Sequence, residues 1–137
     1  IYVAQKVGAG VHLGASDCDV AEARTILGKD AIIGATAKTP EQAQAAERAG
    51  ADYLGSGAVF GSPTKLDAKP MTIEQFKAVC DSVSIPVAAI GGVTAEGAPA
   101  LRGTGLAGLC AISSVLSADD ICAAAKRLRA VAEDVTA

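Results

Sequence analysis

The sequence has few aromatic side chains and little concentrated positive charge. It contains no tryptophan, two tyrosines and two phenylalanines, and its formal charge is −3. The longest basic cluster is Lys126, Arg127 and Arg129 on one predicted helix face. Because nucleic-acid surfaces combine clustered Lys and Arg with stacking aromatic residues, we expect no nucleic-acid partner.

Long apolar runs are missing as well. No stretch approaches the roughly 18 apolar residues that are needed to cross a bilayer, so we expect no membrane partner. Residues 1–6 lack the basic-then-apolar order of a secretory signal. We therefore expect a soluble protein of the cytoplasm, or of an organelle stroma if the source is eukaryotic. The first residue is Ile and not Met, which indicates processing, truncation or an incomplete sequence.

The four cysteines form no metal or disulfide pattern. Cys18, Cys80, Cys110 and Cys122 include no CxxC pair and have no histidine at ligand spacing, which argues against zinc and against a disulfide framework. We expect free thiols in a reducing compartment.

What the chain does contain is 50% hydrophobic residues over 137 positions, enough for the core of one domain. Apolar runs of about four to six residues alternate with longer segments of helical period, which predicts repeated strand–helix units and a parallel sheet. A helix tail over residues 1–7 comes first. The predicted strands cover residues 11–14, 31–36, 52–59, 86–90 and 106–112.

Four hydroxyl residues mark predicted helix starts. Thr39, followed by Pro40, and Thr72 each precede a glutamine by three residues, the pattern of a capping box. Thr94 and Ser117 are followed by acidic residues within the first turn, where the helix dipole favours them. We predict an α-helix after each of the four.

Five parallel strands could form an open doubly wound sheet or part of a closed barrel. The candidate polar groups all follow strand ends, as they do in barrels, and a closed eight-stranded barrel needs about 200 residues. We therefore predict a single α/β domain over residues 1–137, a partial (β/α)8 TIM barrel that covers about the last five units and lacks the first three. A missing N-terminal segment or a partner chain would cover the strand edges, and a homo-oligomer stays open.

One loop delivers two hydroxyls and an ammonium directly after the third strand. Ser62, Thr64 and Lys65 suit an anionic phosphate, although the same residues are common in solvated turns.

Two further strand ends offer backbone instead of side chains. Gly91 and Gly92 let amides approach an anion without obstruction, or they serve a tight turn that needs positive φ. Ile112 and Ser113 offer a second amide pair after the last strand. In barrels a phosphate commonly lies between the loops after the last two strands.

Three residues near the first two strands are further candidates. Asp17 is either a helix cap, a role shared with Asp19, or a ligand of Mg²⁺. Thr36 ends the second strand and is an oxygen donor or a structural residue. His12 lies in an apolar strand, which favours a satisfied core histidine, or one that supports a neighbouring site residue, over a catalytic base.

Together these motifs resemble the thiamine-phosphate synthase family of (β/α)8 enzymes, which join a pyrimidine diphosphate to a thiazole phosphate to give thiamin phosphate. The resemblance runs over nearly the whole chain. Its motifs are Gly10-Val11-His12-Leu13-Gly14 with Asp17, Ile33-Gly34-Ala35-Thr36, Ala51-Asp52-Tyr53-Leu54-Gly55 leading to Ser62-Pro63-Thr64-Lys65, Ile85-Pro86-Val87 before Ile90-Gly91-Gly92-Val93-Thr94, and Ile112-Ser113.

The resemblance implies a role for each candidate. Thr36 and Lys65 would face the pyrimidine diphosphate, with Lys65 as the catalytic group, and Asp17 would ligate Mg²⁺. The implied chemistry is a dissociative displacement, in which diphosphate leaves the pyrimidine methylene and the thiazole nitrogen attacks the cation that remains. The groups implied to hold the thiazole phosphate are Ser62, Thr64, Gly92, Ile112 and Ser113.

The chain also departs from the family pattern. The departures are Ala15, Thr36, Lys38, Gly97 (in a predicted helix interior) and Ala107. The family's first three strands, with a basic diphosphate motif and a second metal carboxylate, have no counterpart. Two alternatives follow: a thiazole tautomerase of the related barrel group, or a non-catalytic phosphate-binding or structural subunit. Lys65 argues against the tautomerase, and Ala15 favours the non-catalytic alternative.

Overall fold

The sheet has a sequential strand order. The computed structural model describes residues 1–61 and 70–137, and in these ranges five parallel strands pair in the order β1-β2-β3-β4-β5. A doubly wound sheet reverses its order at a switch point, so that alternative is excluded. The strands are β1 (Val11–Leu13), β2 (Ile33–Thr36), β3 (Tyr53–Gly57), β4 (Val87–Ile90) and β5 (Gly108–Cys110).

Helices connect the strands. Among the described residues no helix combines the length and the apolar character that a membrane span requires. A 3₁₀ helix, Ala98–Leu101, lies between β4 and β5. The α-helices are α1 (Tyr2–Val7), α2 (Val20–Leu27), α3 (Pro40–Arg48), α4 (Ile73–Asp81), α5 (Ser113–Leu116) and α6 (Ile121–Val135).

The two faces of the sheet differ in burial. Successive strand residues point to opposite faces, and on one face the side chains are buried under the helices: Leu13, Ile33, Ala35, Leu54, Val87 and Ala89. On the other face His12, Ile90 and Cys110 are exposed. Helices on one face of a sequentially ordered parallel sheet are the arrangement of a barrel wall. The fold is therefore a partial (β/α) barrel, as the sequence predicts.

Helix α4 supplies the centre of the core. Its Phe76 and Val79 are fully buried, and the helix packs against β3 and β4. Burial of one such side chain contributes roughly 1.5–3 kcal/mol, so α4 holds the middle of the sheet in place.

Two predicted helix caps are present. Thr72 forms a complete capping box with Gln75. At α3, Thr39 Oγ1 accepts the Gln42 amide at 3.3 Å, but the Gln42 side chain accepts the amide of Lys38 instead of that of the cap residue. One first-turn backbone amide of each helix is thus satisfied by the hydroxyl of its cap residue.

The prediction of an α-helix after Thr94 is wrong. Thr94 Oγ1 accepts the Gly97 amide at 3.1 Å, but only the four-residue 3₁₀ helix Ala98–Leu101 follows. An α-helix from Thr94 would place Pro99 in its interior, where the missing N–H and the ring both oppose it. Gly97 accordingly lies before the 3₁₀ helix and not inside an α-helix.

The start of the last helix was also assigned to the wrong residue. Ser117 ends the short helix α5, and Asp120 caps α6 by accepting the Ala123 amide at 2.9 Å. An aspartate caps as well as a serine does, so the pattern allowed both positions.

An arginine ties the chain together at the amino ends of the strands. Arg24 donates to the Gly50 carbonyl at 2.6 Å and to Asp52 Oδ2 at 2.7 Å, and the same oxygen accepts the Ile33 amide at 2.6 Å. The Ile33 hydrogen bond, supported by Arg24, lowers the pKa of Asp52. We call Arg24, Gly50, Asp52 and Ile33 the Arg24 cluster.

Candidate functional site

The carboxyl ends of the parallel strands lie along one edge of the sheet, which we call the rim. The predicted residues Ser62, Thr64 and Lys65 lie outside the described residues. The segment that precedes them is described: the Phe60 amide donates to the Gly91 carbonyl at 3.1 Å. A Cβ built on Gly92 would overlap the Gly61 carbonyl. Phe60 and Gly61, the last described residues before Ser62, therefore lie directly beside Gly91 and Gly92.

The two glycines after β4 both need to be glycine. Gly91 has φ of 92° and Gly92 has φ of 68°, a region that other L-residues rarely adopt. A Cβ on Gly91 would lie 2.6 Å from Cα of Ala58. The tight-turn interpretation is thus correct, and the same geometry leaves bare backbone at the rim.

A serine side chain joins the loop after β4 to the helix after β5. Ser114 Oγ donates to the Val93 carbonyl at 2.7 Å, so the loop after β4 contacts the start of α5, the helix that follows β5. Gly92 and Ser113 are the chain neighbours of these two residues, and Ile112 and Ser113 are exposed. Sequence reasoning chose Ser113 and missed Ser114, although the consecutive serines were the available signal.

Three side chains are connected across the first three strands. His12 Nε2 lies 3.0 Å from Thr36 Oγ1, and His12 Nδ1 lies 3.1 Å from the Tyr53 hydroxyl. His12 is exposed on the face of this five-strand wall opposite the covering helices, and both of its ring nitrogens have partners, so it is satisfied as predicted although none of the described helices covers it. Its contact with Thr36 agrees with the expectation of a supporting histidine.

Tyr53 was not among the predicted site residues. Two glycines could have identified it: Gly34, which is opposite Tyr53 on β2, and Gly55, which is two residues further along β3. A Cβ on Gly34 would lie 2.5 Å from the Tyr53 hydroxyl oxygen, and a Cβ on Gly55 would lie 3.1 Å from His12 Cε1. Glycine at both positions leaves the space that the two rings occupy.

Asp17 is at the rim and does not cap α2. Its Oδ2 accepts the Gly14 amide at 2.7 Å, and its own amide donates to the Gly14 carbonyl at 3.1 Å. The cap of α2 is Asp19, which accepts the Glu22 amide at 2.7 Å. Since the capping role belongs to Asp19, the Asp17 carboxylate is held at the strand end by Gly14 and is exposed.

The donor set at Asp17 fits Mg²⁺ only in part. Mg²⁺ prefers oxygen ligands and is often bound by one or two carboxylates together with substrate phosphates. Among the described residues no group of three or more His, Cys, Asp or Glu side chains could hold a metal ion. Asp17 would therefore supply one carboxylate, and the ligand's phosphate oxygens would supply others.

A cavity of about 250 Å³ lies behind the last two rim loops. Its lining includes Thr94, Ser114 and Arg127, and Arg127 forms an ion pair with Glu96, which also lines the cavity, at 3.4 Å. Gly92, Ile112 and Ser113 do not line it, so it is distinct from the predicted phosphate position.

Burial makes two thiols and one phenol harder to ionise. All four cysteines are free, and burial raises the pKa of Cys80 to about 11. Burial also raises the pKa of Cys110 and, with a smaller effect of Cys110, that of Tyr53. Cys80, Cys110 and Tyr53 therefore lack the lowered pKa of a reactive nucleophile.

Comparisons with known proteins agree on one family. A family model described as thiamine monophosphate synthase matches residues 1–115. The thiamine-phosphate synthase of Ruminiclostridium cellulolyticum is 45% identical over 129 residues, which cover 93% of this chain and 61% of that protein. The thiamine-phosphate synthase of Caldivirga maquilingensis is 48% identical over 118 residues, 86% of this chain and 57% of that protein.

Solved structures show the same fold. The thiamine phosphate pyrophosphorylase from Pyrococcus furiosus superposes with a TM-score of 0.89 at 39% identity, over 99% of this chain and 65% of that one. A 3-hexulose-6-phosphate synthase superposes with a TM-score of 0.70 at 23% identity, which shows the fold alone. The chain thus spans less than two thirds of the length of these relatives.

Proposed function

The chain belongs to the thiamine monophosphate synthase family, and from that premise we propose that it forms part of a thiamine-phosphate synthase. The proposed reaction condenses hydroxymethylpyrimidine diphosphate with hydroxyethylthiazole phosphate, giving thiamin phosphate and diphosphate. In this proposal the remaining barrel units come from a preceding segment or from a partner chain.

The observation that supports this function best is the contact between the loop after β4 and the start of α5. The 2.7 Å hydrogen bond from Ser114 to the Val93 carbonyl joins the start of α5 to the loop after β4, and Ser113 and Gly92 are the chain neighbours of these two residues. Backbone amides at such strand ends bind phosphate without needing a charged side chain. We assign the thiazole phosphate to Gly92, Ile112 and Ser113, together with Ser62 and Thr64 of the neighbouring loop.

The pyrimidine diphosphate is assigned to the other half of the rim. Thr36 would contact it directly, and Lys65 would neutralise charge on the departing diphosphate, which stabilises the transition state electrostatically. Asp17 would hold Mg²⁺ beside the diphosphate, and the ion would supply further charge neutralisation to the leaving group. In this proposal the bound phosphate orients the thiazole, so that the thiazole nitrogen is aligned for its attack on the pyrimidine methylene.

The test of the function is turnover by the intact protein. We expect thiamin phosphate, measured by chromatography, only when both substrates are present, and a fall of at least about 100-fold in kcat for Lys65→Met, because a charge that acts in the transition state is removed. Lys29→Met, an exposed lysine at the amino end of β2, is the control. Absence of product from the intact wild type would reject the assignment.

The metal role of Asp17 has its own matched pair. Asp17→Asn should raise the Mg²⁺ concentration for half-maximal activity by roughly 10-fold or more, since it removes the charged ligand. Asp19→Asn should leave that concentration unchanged, because asparagine caps a helix as well as aspartate does. Equal Mg²⁺ dependence of Asp17→Asn and wild type would remove Asp17 from the metal site.

Calorimetry separates the two alternatives. A thiazole tautomerase has no use for pyrimidine diphosphate, so binding of the thiazole phosphate alone would favour that enzyme. Binding of a phosphate ligand without any turnover would favour the non-catalytic subunit.

We propose the cytoplasm, or an organelle stroma, as the location of the protein. We also propose a second copy of the chain as a partner, which light scattering would test.

A further inference from the structure

The feature that carries a further inference is the set of three linked side chains on the inner face of β1, β2 and β3. His12 lies between Thr36 at 3.0 Å and Tyr53 at 3.1 Å. Each contact uses a different ring nitrogen of His12. The inference rests on the proposed function, because Thr36 faces the pyrimidine diphosphate only in that assignment.

A neutral imidazole has one N–H and one bare nitrogen, and the hydrogen bond at one nitrogen decides which of the two carries the proton. Two arrangements are open to His12. If the Tyr53 hydroxyl donates to Nδ1, then Nε2–H donates to Thr36 Oγ1, and the Thr36 hydrogen stays free. If Nδ1–H donates to the Tyr53 oxygen, then Nε2 accepts the Thr36 hydrogen and consumes it.

The first arrangement fits the environment of Tyr53. A phenol O–H is a better donor than acceptor, and an unprotonated imidazole nitrogen is a good acceptor. Tyr53 is half-buried on the inner face, where burial raises the pKa of its phenol, so the donor hydrogen is retained.

The neighbouring backbone keeps the two rings where they are. Gly34, on the strand beside Tyr53, leaves the space that the phenol ring fills, and Gly55 leaves the space below His12 Cε1. The ring centroids of His12 and Tyr53 lie 5.4 Å apart, so the rings also pack against each other. Hydrogen bonds that are supported on two sides in this way are well ordered.

We propose that Tyr53 and His12 are a positioning pair that makes the Thr36 hydroxyl a hydrogen-bond donor toward an acceptor atom of the pyrimidine diphosphate. Tyr53 fixes His12 as the Nε2–H tautomer, His12 occupies a lone pair of Thr36 Oγ1, and the Thr36 hydrogen is left for the substrate. Neither His12 nor Tyr53 needs to touch the substrate.

The tautomer can be measured directly. His12 is the single histidine of the chain, so ¹⁵N spectra of the intact protein with labelled histidine identify its two nitrogens as the signals that disappear in His12→Gln. We expect Nε2 to be protonated in the wild type and an increased share of the Nδ1–H form in Tyr53→Phe. A wild-type Nδ1–H tautomer, or an unchanged ratio in Tyr53→Phe, would overturn the proposal.

The kinetic effect should be specific to one substrate. Tyr53→Phe, which keeps the ring against Gly34, should raise KM for the pyrimidine diphosphate about 5-fold, the size expected for one misdirected hydrogen bond, and leave KM for the thiazole phosphate unchanged. Tyr2→Phe is the matched control, because Tyr2 is the only other tyrosine and is 68% exposed on α1. An equal rise in both KM values would indicate a general structural defect and overturn the proposal.

A second pair of variants tests the donor at Nε2. Glutamine can place an N–H near the Nε2 position, whereas asparagine is too short, so His12→Gln should retain more pyrimidine diphosphate affinity than His12→Asn. Equal affinities would contradict the positioning role. The two failures stay separate: a wild type without turnover rejects the synthase, and an unchanged tautomer in Tyr53→Phe rejects the positioning pair.

Discussion

One half of the rim presents side chains to a ligand, and the other half presents backbone. Along β1, β2 and β3 the site presents side chains: Thr36, at the carboxyl end of β2, is joined by hydrogen bonds through His12 to Tyr53 on the inner face of the strands. The half that follows β4 and β5 presents backbone, with Gly91 and Gly92 at positive φ and one serine joining the loop after β4 to α5. The difference predicts that the first half is sensitive to loss of a functional group and the second to addition of an atom.

The largest effect should come from one added methyl group in the backbone half. Gly91→Ala places a Cβ 2.6 Å from Cα of Ala58 at φ of 92°, where both strain and a backbone clash oppose it. We expect the free energy of unfolding to fall by about 3 kcal/mol or more, measured by urea denaturation of the intact protein.

Gly103→Ala separates strain from contact. Gly103 also has positive φ, at 75°, but no heavy atom lies within 4 Å of a Cβ built there. Its replacement should cost about 1–2 kcal/mol, the cost of the left-handed conformation alone. Equal losses for the two variants would show that crowding at Gly91 is not what distinguishes the backbone half.

In the side-chain half, loss of one hydroxyl should be enough to weaken binding. Thr36→Val keeps the shape of the side chain and removes the donor, so we expect KM for the pyrimidine diphosphate to rise about 10-fold, which corresponds to about 1.4 kcal/mol. Steady-state kinetics of the intact protein measure it. Thr36→Ser retains the hydroxyl and should stay within about 2-fold of wild type; a loss as large as that of Thr36→Val would remove the hydroxyl from the explanation.

Loss of a side chain from the backbone half should have a smaller effect. Ser114→Ala removes the hydrogen bond to the Val93 carbonyl, which contributes about 1 kcal/mol, and leaves the amides in place. We expect KM for the thiazole phosphate to rise about 5-fold, with Ser117→Ala as an exposed control. A rise above that for Thr36→Val would break the comparison between the two halves.

The smallest effect concerns pH and lies at the other end of the strands. The pKa of Asp52 is lowered below its ordinary value of 3.8, chiefly by the Ile33 amide and then by Arg24. The folded state therefore binds this proton less readily than the unfolded chain. Its contribution to stability is complete above the ordinary pKa and is lost as the pH falls through the folded pKa.

Asp52→Asn tests this contribution. We expect the difference in melting temperature between wild type and Asp52→Asn to be largest near neutral pH and to shrink as the pH falls below about 4. Because the Asp52 side chain is 46% exposed, solvent screening keeps the effect small. A difference that stays constant down to pH 3 would contradict the shift.

The strands and two caps were predictable because their signals are local. Apolar runs bounded by glycine locate the strands, and Thr72 with Gln75 forms the box that its spacing predicts. At Thr94 two local signals conflict. The hydroxyl does accept the Gly97 amide, as a cap residue does, but Pro99, five residues later, prevents an α-helix from forming there. Where two such signals conflict, the steric exclusion of proline from a helix interior outweighs the preference of a cap residue.

The exposure of His12 and its contact with Tyr53 could not be predicted in this way. Both depend on which face of the sheet the helices cover, a property of the whole chain and not of the strand that contains the residue. Ser114 was missed for a related reason, since its partner Val93 is 21 residues away. The positive φ of Gly91 and Gly92 was predictable because glycine signals its backbone conformation directly.

The Arg24 cluster lies at the end of the strands opposite the rim, and it has a consequence for how this protein tolerates sequence change. The Arg24 guanidinium binds the carbonyls of Ala31 and Gly50 just before β2 and β3, and Asp52 of the same cluster binds the Ile33 amide. This end of the wall is therefore held without a contribution from the side-chain half of the rim. In a deep mutational survey, substitutions at the Arg24 cluster should lower cellular abundance, and those at the side-chain half of the rim should lower specific activity at normal abundance. The side-chain half of the rim is thereby free to diversify while the opposite end preserves the scaffold.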